Sequence, residues 1–151
     1  MDLSFNRKEW MSLLAKSSAE KLAERFDKVI EALTETPDFS WLRKPEIGGV
    51  MVQGRAGSTG APFNMGEVTV TRCSLQLSSG EVGHAYVQGR NKKKAEQSAL
   101  VDAYMQTDRF GFFMAGILEP ISNDLDKERT AREAKAGKTK VDFFTLVRGE
   151  D

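Results

Sequence analysis

The sequence predicts a single α+β domain over residues 1–151: an antiparallel sheet of four or five strands with helices packed on it. Three observations lead there. Residues 66–106 read as two β-branched, partly alternating runs joined by a Ser-Ser-Gly turn and followed at once by a helical stretch. Apolar residues recur at a 3.6-residue period between positions 6 and 33. The C-terminal KVDFFTLVRGED alternates as a strand does, but carries apolar bulk on both faces. At 151 residues the chain can bury a core without metal or disulfide staples.

Trp10, Leu13 and Leu14 mark a first helix, and Ser17-Ser18 breaks the pattern. Those serines offer a cap for a second helix carrying Leu22, Phe26, Ile30 and Leu33, which stops near Thr34–Pro37. Phe39–Arg43 is a short candidate strand ended by Pro45, and Gly48–Arg55 is another. The glycine-rich stretch after it, with Gly54, Gly57 and Gly60, reads as a long hairpin loop or as a phosphate cradle of backbone N–H groups. It lacks the terminal Gly-Lys-Ser/Thr of a P-loop. A two-residue Ser79-Gly80 turn would pair Leu77 with Val82, Leu75 with His84 and Cys73 with Tyr86. Val68 and Val70 have the opposite parity, which calls for a bulge near Arg72 or burial on both faces.

Asn91 caps the next helix, and Lys92, Lys93 and Lys94 fill its first turn against the helix dipole. That turn is either solvated or an anion site built from free N–H groups and side chains. Arg55, Arg72, Arg90 and Lys94 are the candidate anion-binding residues. Ala95, Ala99 and Ala103 form a small-residue row that permits close backbone approach. Phe110–Leu118 is apolar but broken by two glycines, so it suits either core or interface. Ser122–Ala136 is a charged helix with one large apolar residue, Leu125, and ends at Gly137. The C-terminal strand within 138–151 is central in the sheet, docked on another chain or swapped between copies. Phe110, Phe112, Phe113, Phe143, Phe144, Leu146 and Arg148 are the candidate interface residues.

Composition narrows the chemistry. Lys plus Arg and Asp plus Glu both total 22, so no bulk charge points to nucleic acid or membrane. The longest apolar run is too short to span a bilayer, and MDLSFNRKEW has no secretory-signal pattern, so a cytoplasmic location is expected. Cys73 and His84 are the sole cysteine and histidine, which leaves no thiolate cage and no two-histidine metal site within one chain. No catalytic, cofactor-binding or metal residue is assigned. A free-standing nucleotide or nucleic-acid module is disfavoured, because aromatics do not interleave with the basic turn.

The segments GEVTVTRCSLQLSSGEVGHAYVQGRNKKKAEQSALVDA and VDFFTLVRG closely resemble the PhnG family of the bacterial carbon–phosphorus lyase system. RKEWMSLLAKSSAEKLAERF and the QGRAGSTGAPFNMGE loop extend the resemblance over nearly the whole chain. The chain departs from the family's Gly-Arg-Asp-x-x-His-Ala-Glu run at Asn91 and Lys94. The resemblance implies a subunit acting with PhnH, PhnI and PhnJ in a core complex holding two copies of each, and with PhnL functionally. It further implies support for displacement of adenine from ATP by an alkylphosphonate, with catalysis on PhnI and radical cleavage on PhnJ. ATP is then the co-substrate of the complex, with no cofactor on this chain. The alternative role is a phosphate-binding surface lent to a shared active site.

Overall fold

The side chain of Asn6 accepts from the Glu9 backbone N–H, and the Glu9 carboxylate accepts from the Asn6 N–H at 2.8 Å. This reciprocal cap satisfies two orphan donors and starts α1, Arg7–Lys16. The computed structural model describes residues 5–34, 36–57 and 59–137. Ser17 closes α1, and Ser18 caps α2, Ala19–Leu33, by accepting from the Lys21 N–H. Thr34 ends α2 in the left-handed region, φ 52°. The two-helix reading of the N-terminal region is thus observed, with Leu14, Leu22, Phe26 and Val29 buried.

The sheet has three strands among the described residues, in the order β1-β2-β3, and not the four or five expected. Two physical facts account for the difference. The two candidate strands before Arg55 are one strand, β1, Phe39–Arg55. Pro45 does not end it: β1 is an edge strand, and the chain absorbs the proline in register shifts between Trp41 and Glu46. The C-terminal strand expected at 141–147 lies outside the described residues. β2 spans Pro62–Leu77, so strand pairing runs far into the expected glycine-rich loop and leaves only residues 56–61 as the turn.

β3, Val82–Gln88, pairs with β2 one residue out of the expected register. Val82 faces Gln76, Gly83 faces Leu75, His84 faces Ser74 and Tyr86 faces Arg72. The turn sets this shift. Gly80 N–H donates to Leu77 C=O and Leu77 N–H donates to Glu81 C=O, both at 2.9 Å, with Gly80 at φ 110°. That is a three-residue loop closed by a glycine bulge, not a two-residue turn. Cys73, Leu75 and Leu77 therefore share the inner face with Gly83, Ala85 and Val87, while His84 and Tyr86 face outward. β2 pairs with β3 unbroken from Val70 to Gln76, so the bulges opposite Leu75–Arg72 lie in β1 and not in β2 at Arg72. Val70 and Thr71, neighbours on opposite faces, are both buried.

Asn91 caps α3, Lys92–Tyr104, accepting from Lys94 N–H at 2.8 Å. Its alanine row lets β3 approach closely: a Cβ on Gly83 would sit 1.9 Å from the Ala99 carbonyl oxygen. A short α4, Phe110–Phe113, continues through a π-helical turn, Met114–Leu118, into α5, Glu119–Gly137. At that turn Gly116 leaves room for Val29 of α2, whose Cγ2 would stand 2.4 Å from an added Cβ. The core lies between the inner sheet face and α3 with the flanking helices, and includes Leu22, Leu75, Val101, Phe113 and Ile117.

Candidate docking surface

β1 and β2 are 17 and 16 residues long, whereas β3 has seven. Beyond Gln88 the sheet is therefore a two-stranded arm, Gly49–Arg55 against Pro62–Thr69. An isolated hairpin is marginal in water, so an arm of this length calls for something to lie against. Its surface agrees: Met51 is 51 % exposed and Met65 65 %, with Ile47, Val52 and Phe63 also open. Register puts Ile47 and Met51 on the helix-bearing side of the sheet, and Val50, Val52 and Phe63 on the bare side. Met65 stands at the register shift between Val52 and Gln53, where β2 carries an extra residue.

A second apolar surface lies around α4. Phe110 and Phe112 are 53 % and 56 % exposed and border a cleft of about 730 Å³ against α2, with Arg25, Val29 and Ala32 on its other wall. Arg25 is held by Asp124 of α5 at 2.8 Å. Phe113 goes the opposite way, fully buried and stacked on Tyr104 with centroids 4.6 Å apart. It is core, and of the three phenylalanines only Phe110 and Phe112 are accessible on this chain. The helical spacing separates them, a cue the run of phenylalanines hides in a purely linear reading. Phe143, Phe144, Leu146 and Arg148 lie outside the described residues.

The four candidate anion ligands are spread out. Arg55 sits at the arm's tip, its guanidinium on the Gly60 carbonyl at 3.1 Å. Arg72 lies ten residues along β2 from Arg55's partner Pro62, roughly 33 Å away at strand rise, and its Nε donates to Glu46 at 2.9 Å. Arg90 is exposed just before α3. Lys94 is buried, and its Nζ donates to the Ala15 carbonyl oxygen at 2.8 Å. Burial pushes its pKa below the usual lysine value. It therefore closes an orphan carbonyl at the C-terminal end of α1, while Lys92 and Lys93 are exposed.

The sole histidine offers little acid–base machinery. His84 Nδ1 and Ser74 Oγ are 2.9 Å apart on the bare sheet face, and among the described residues no carboxylate hydrogen-bonds the ring to orient it. Cys73 is buried, and desolvation with the nearby Glu96 pushes its pKa up to about 12. No helix among the described residues is long and apolar enough to cross a membrane.

Such a chain is of a definite class: a small α+β protein whose sheet runs out into an apolar arm and whose surface is shaped for contact. Comparison with known proteins gives the class its family. Residues 5–149 match the family described as phosphonate metabolism protein PhnG. The alpha-D-ribose 1-methylphosphonate 5-triphosphate synthase subunit PhnG of Rhizobium meliloti (strain 1021) is 39 % identical over 145 residues, covering 96 % of this chain and 90 % of that protein. The chain belongs to the PhnG family.

Proposed function

We propose that this chain is a non-catalytic subunit of an alpha-D-ribose 1-methylphosphonate 5-triphosphate synthase, acting in the cytoplasm in phosphonate catabolism. The complex would transfer the ribosyl triphosphate of ATP to an alkylphosphonate and displace adenine, with PhnH, PhnI and PhnJ as structural partners and PhnL as a functional one. The activity is taken from the relative's name and the family resemblance. The observation supporting a docking role is the apolar arm, which leaves Met51, Phe63 and Met65 in water on a hairpin that the body does not cover.

The test is co-expression with the PhnH, PhnI and PhnJ counterparts. Met51→Asp with Phe63→Asp, on a stretch exposed in the free chain, should leave the fold intact and abolish both co-purification and product formation. An assembled, active complex from that variant would refute docking by the arm. A wild-type chain that never co-purifies would refute the subunit reading itself. Arg90→Ala separates the alternative role: loss of turnover in a fully assembled complex would favour a lent phosphate-binding surface.

A further inference from the structure

The body takes up only part of the free edge of β3. Leu77 N–H donates to Glu81 C=O and Gly89 N–H to Thr69 C=O, and the register between these two pairs is unbroken. Gly83, Ala85 and Val87 therefore turn their main-chain groups toward β2, while Val82, His84, Tyr86 and Gln88 turn theirs outward. Val82 C=O accepts from Arg7 Nη2 and from Gln106 Nε2, both at 2.9 Å, and His84 N–H donates to Asp102 at 2.9 Å. Among the described residues nothing pairs with His84 C=O, with either main-chain group of Tyr86, or with Gln88 N–H. α1 packs against β3, and a cleft of about 230 Å³ lies between them. One wall is His84–Val87; four consecutive residues of a strand can line one cavity only along its edge. The other wall is Lys8, Met11, Ser12 and Ala15, a single face of α1. Ser98 of α3 also lines the cleft. It is 2 % exposed, and its Oγ has no hydrogen-bond partner among the described residues.

We propose that this slot is a second docking site, in which an extended acidic segment of a partner subunit adds to the β3 edge between His84 and Gln88. Strand addition is the binding mode that uses the groups left open there. From His84 C=O to Gln88 N–H the edge runs about 13 Å at strand rise, enough to pair four or five residues of the partner. Side chains of an added strand alternate between the two faces of the sheet. One of them enters the cleft beside Met11 and Val87 toward Ser98, and its neighbours fall beside His84 and Tyr86 on the bare face. The cleft calls for an anchor with an apolar body and a hydrogen-bonding tip, because the Ser98 hydroxyl is otherwise buried unsatisfied. The charge of the partner follows from the rim. Lys8 is the only fixed charge lining the cleft, and among the described residues no carboxylate lines it. Arg90 stands exposed two residues beyond the end of β3. Carboxylates on either side of the anchor would meet a cation toward each end of the slot. This inference rests on the subunit reading, and it adds to the arm a contact on the opposite edge of the sheet.

The experiment compares the free chain with the complex co-expressed with the PhnH, PhnI and PhnJ counterparts, by amide hydrogen exchange resolved to single residues. Tyr86 N–H and Gln88 N–H should exchange freely in the free chain and slow by about 100-fold or more in the complex. Ser12→Trp fills the cleft and Lys8→Glu reverses the charge at its rim. Each should leave the circular dichroism of the free chain unchanged and cut recovery of the complex by about tenfold or more. Ser98→Ala separates a contact with the partner from a role in the fold. It should leave the melting temperature of the free chain unchanged or raised, and still weaken assembly by about tenfold. An assembled complex whose Tyr86 N–H exchanges as fast as in the free chain would overturn the slot and leave the subunit reading standing. Normal recovery with both Ser12→Trp and Lys8→Glu would do the same. Full protection of Tyr86 N–H already in the free chain would put another part of this chain in the slot, which also overturns the proposal. A wild-type chain that never assembles would overturn both readings.

Discussion

Arg7 grips Asp102 with two hydrogen bonds, Nε to Oδ1 at 3.1 Å and Nη2 to Oδ2 at 2.8 Å, and the carboxylate is fully buried. Trp10 Nε1 and the His84 backbone N–H complete its shell at 2.8 and 2.9 Å. One aspartate of α3 therefore holds α1 to the sheet and satisfies the His84 N–H of β3. The Asp102 bond also raises the Arg7 pKa above its ordinary value, so the guanidinium stays charged.

Removing that carboxylate takes away the acceptor of four hydrogen bonds from three residues at once. Asp102→Ala should cost about 3–5 kcal/mol, the range for breaking one side of a buried, hydrogen-bonded charge. Arg7→Met should cost less, about 1–2 kcal/mol, because Trp10 and His84 still serve the carboxylate and Arg7 is partly exposed. Urea unfolding of both variants and of the double variant checks this, and a coupling near zero would contradict it.

Lys94 gives a prediction with a sign. Lys94→Ala should lose about 2 kcal/mol, since the Ala15 carbonyl loses a charge-assisted donor; Lys94→Met, which keeps the packed stem, should lose about 1 kcal/mol. The folded-state pKa is lowered by burial, so the folded protein binds fewer protons than the unfolded chain over the interval up to the ordinary lysine value. Wild-type stability relative to Lys94→Met should therefore rise as pH climbs through the lowered folded pKa toward 10.5, and level off above it. A difference that is flat or falls with alkalinity would contradict the buried-ammonium account.

Periodicity made the N-terminal helices, α3 and the β2–β3 hairpin legible, because each buries one face on a regular repeat. What it could not show was decided by contacts far apart in sequence. The hairpin register hung on whether Gly80 sat second in a two-residue turn or third in a three-residue one, and only the Gly83–Ala99 approach across layers selects the latter. Pro45 looked like a strand end, since the sequence does not say that β1 lies on an edge where a missing N–H is tolerated. Lys94 looked like an anion ligand in a basic turn, because its partner is a main-chain carbonyl 79 positions away. The exposed arm was hidden for the same reason: its glycines suggest a loop, and the extent of pairing is a property of both strands together.

Gly83 tests the close packing of β3 on α3. An added Cβ would meet backbone of Ala99, which cannot swing aside as a side chain would. Gly83→Ala should therefore cost about 3 kcal/mol, at the upper end for overpacking. Gly48→Ala, at the base of the exposed arm with open space around it, should lie within about 0.5 kcal/mol of wild type. Thermal unfolding of the two single variants compares them, and equal melting shifts would show that the sheet–helix spacing is looser than described.

Cys73 reports on the integrity of the core from the inner face of β2. Its thiol is buried and its pKa is pushed up to about 12 by desolvation, with Glu96 adding to the effect. The folded chain should leave a thiol reagent such as Ellman's unreacted at pH 8, and react fully once unfolded in guanidinium. The pH dependence has a definite direction. Above about 9 the unfolded chain ionises this thiol while the folded chain keeps its proton, so the unfolded state gains and stability falls as pH rises toward 12. Cys73→Ala should remove that alkaline loss while costing about 1 kcal/mol at neutral pH for the deleted sulfur. Unfolding midpoints of the two proteins should therefore converge and then cross between pH 8 and pH 11, since about 1.4 kcal/mol is lost per pH unit above 9; a constant difference, or rapid labelling of the native thiol, would place Cys73 outside the packed core.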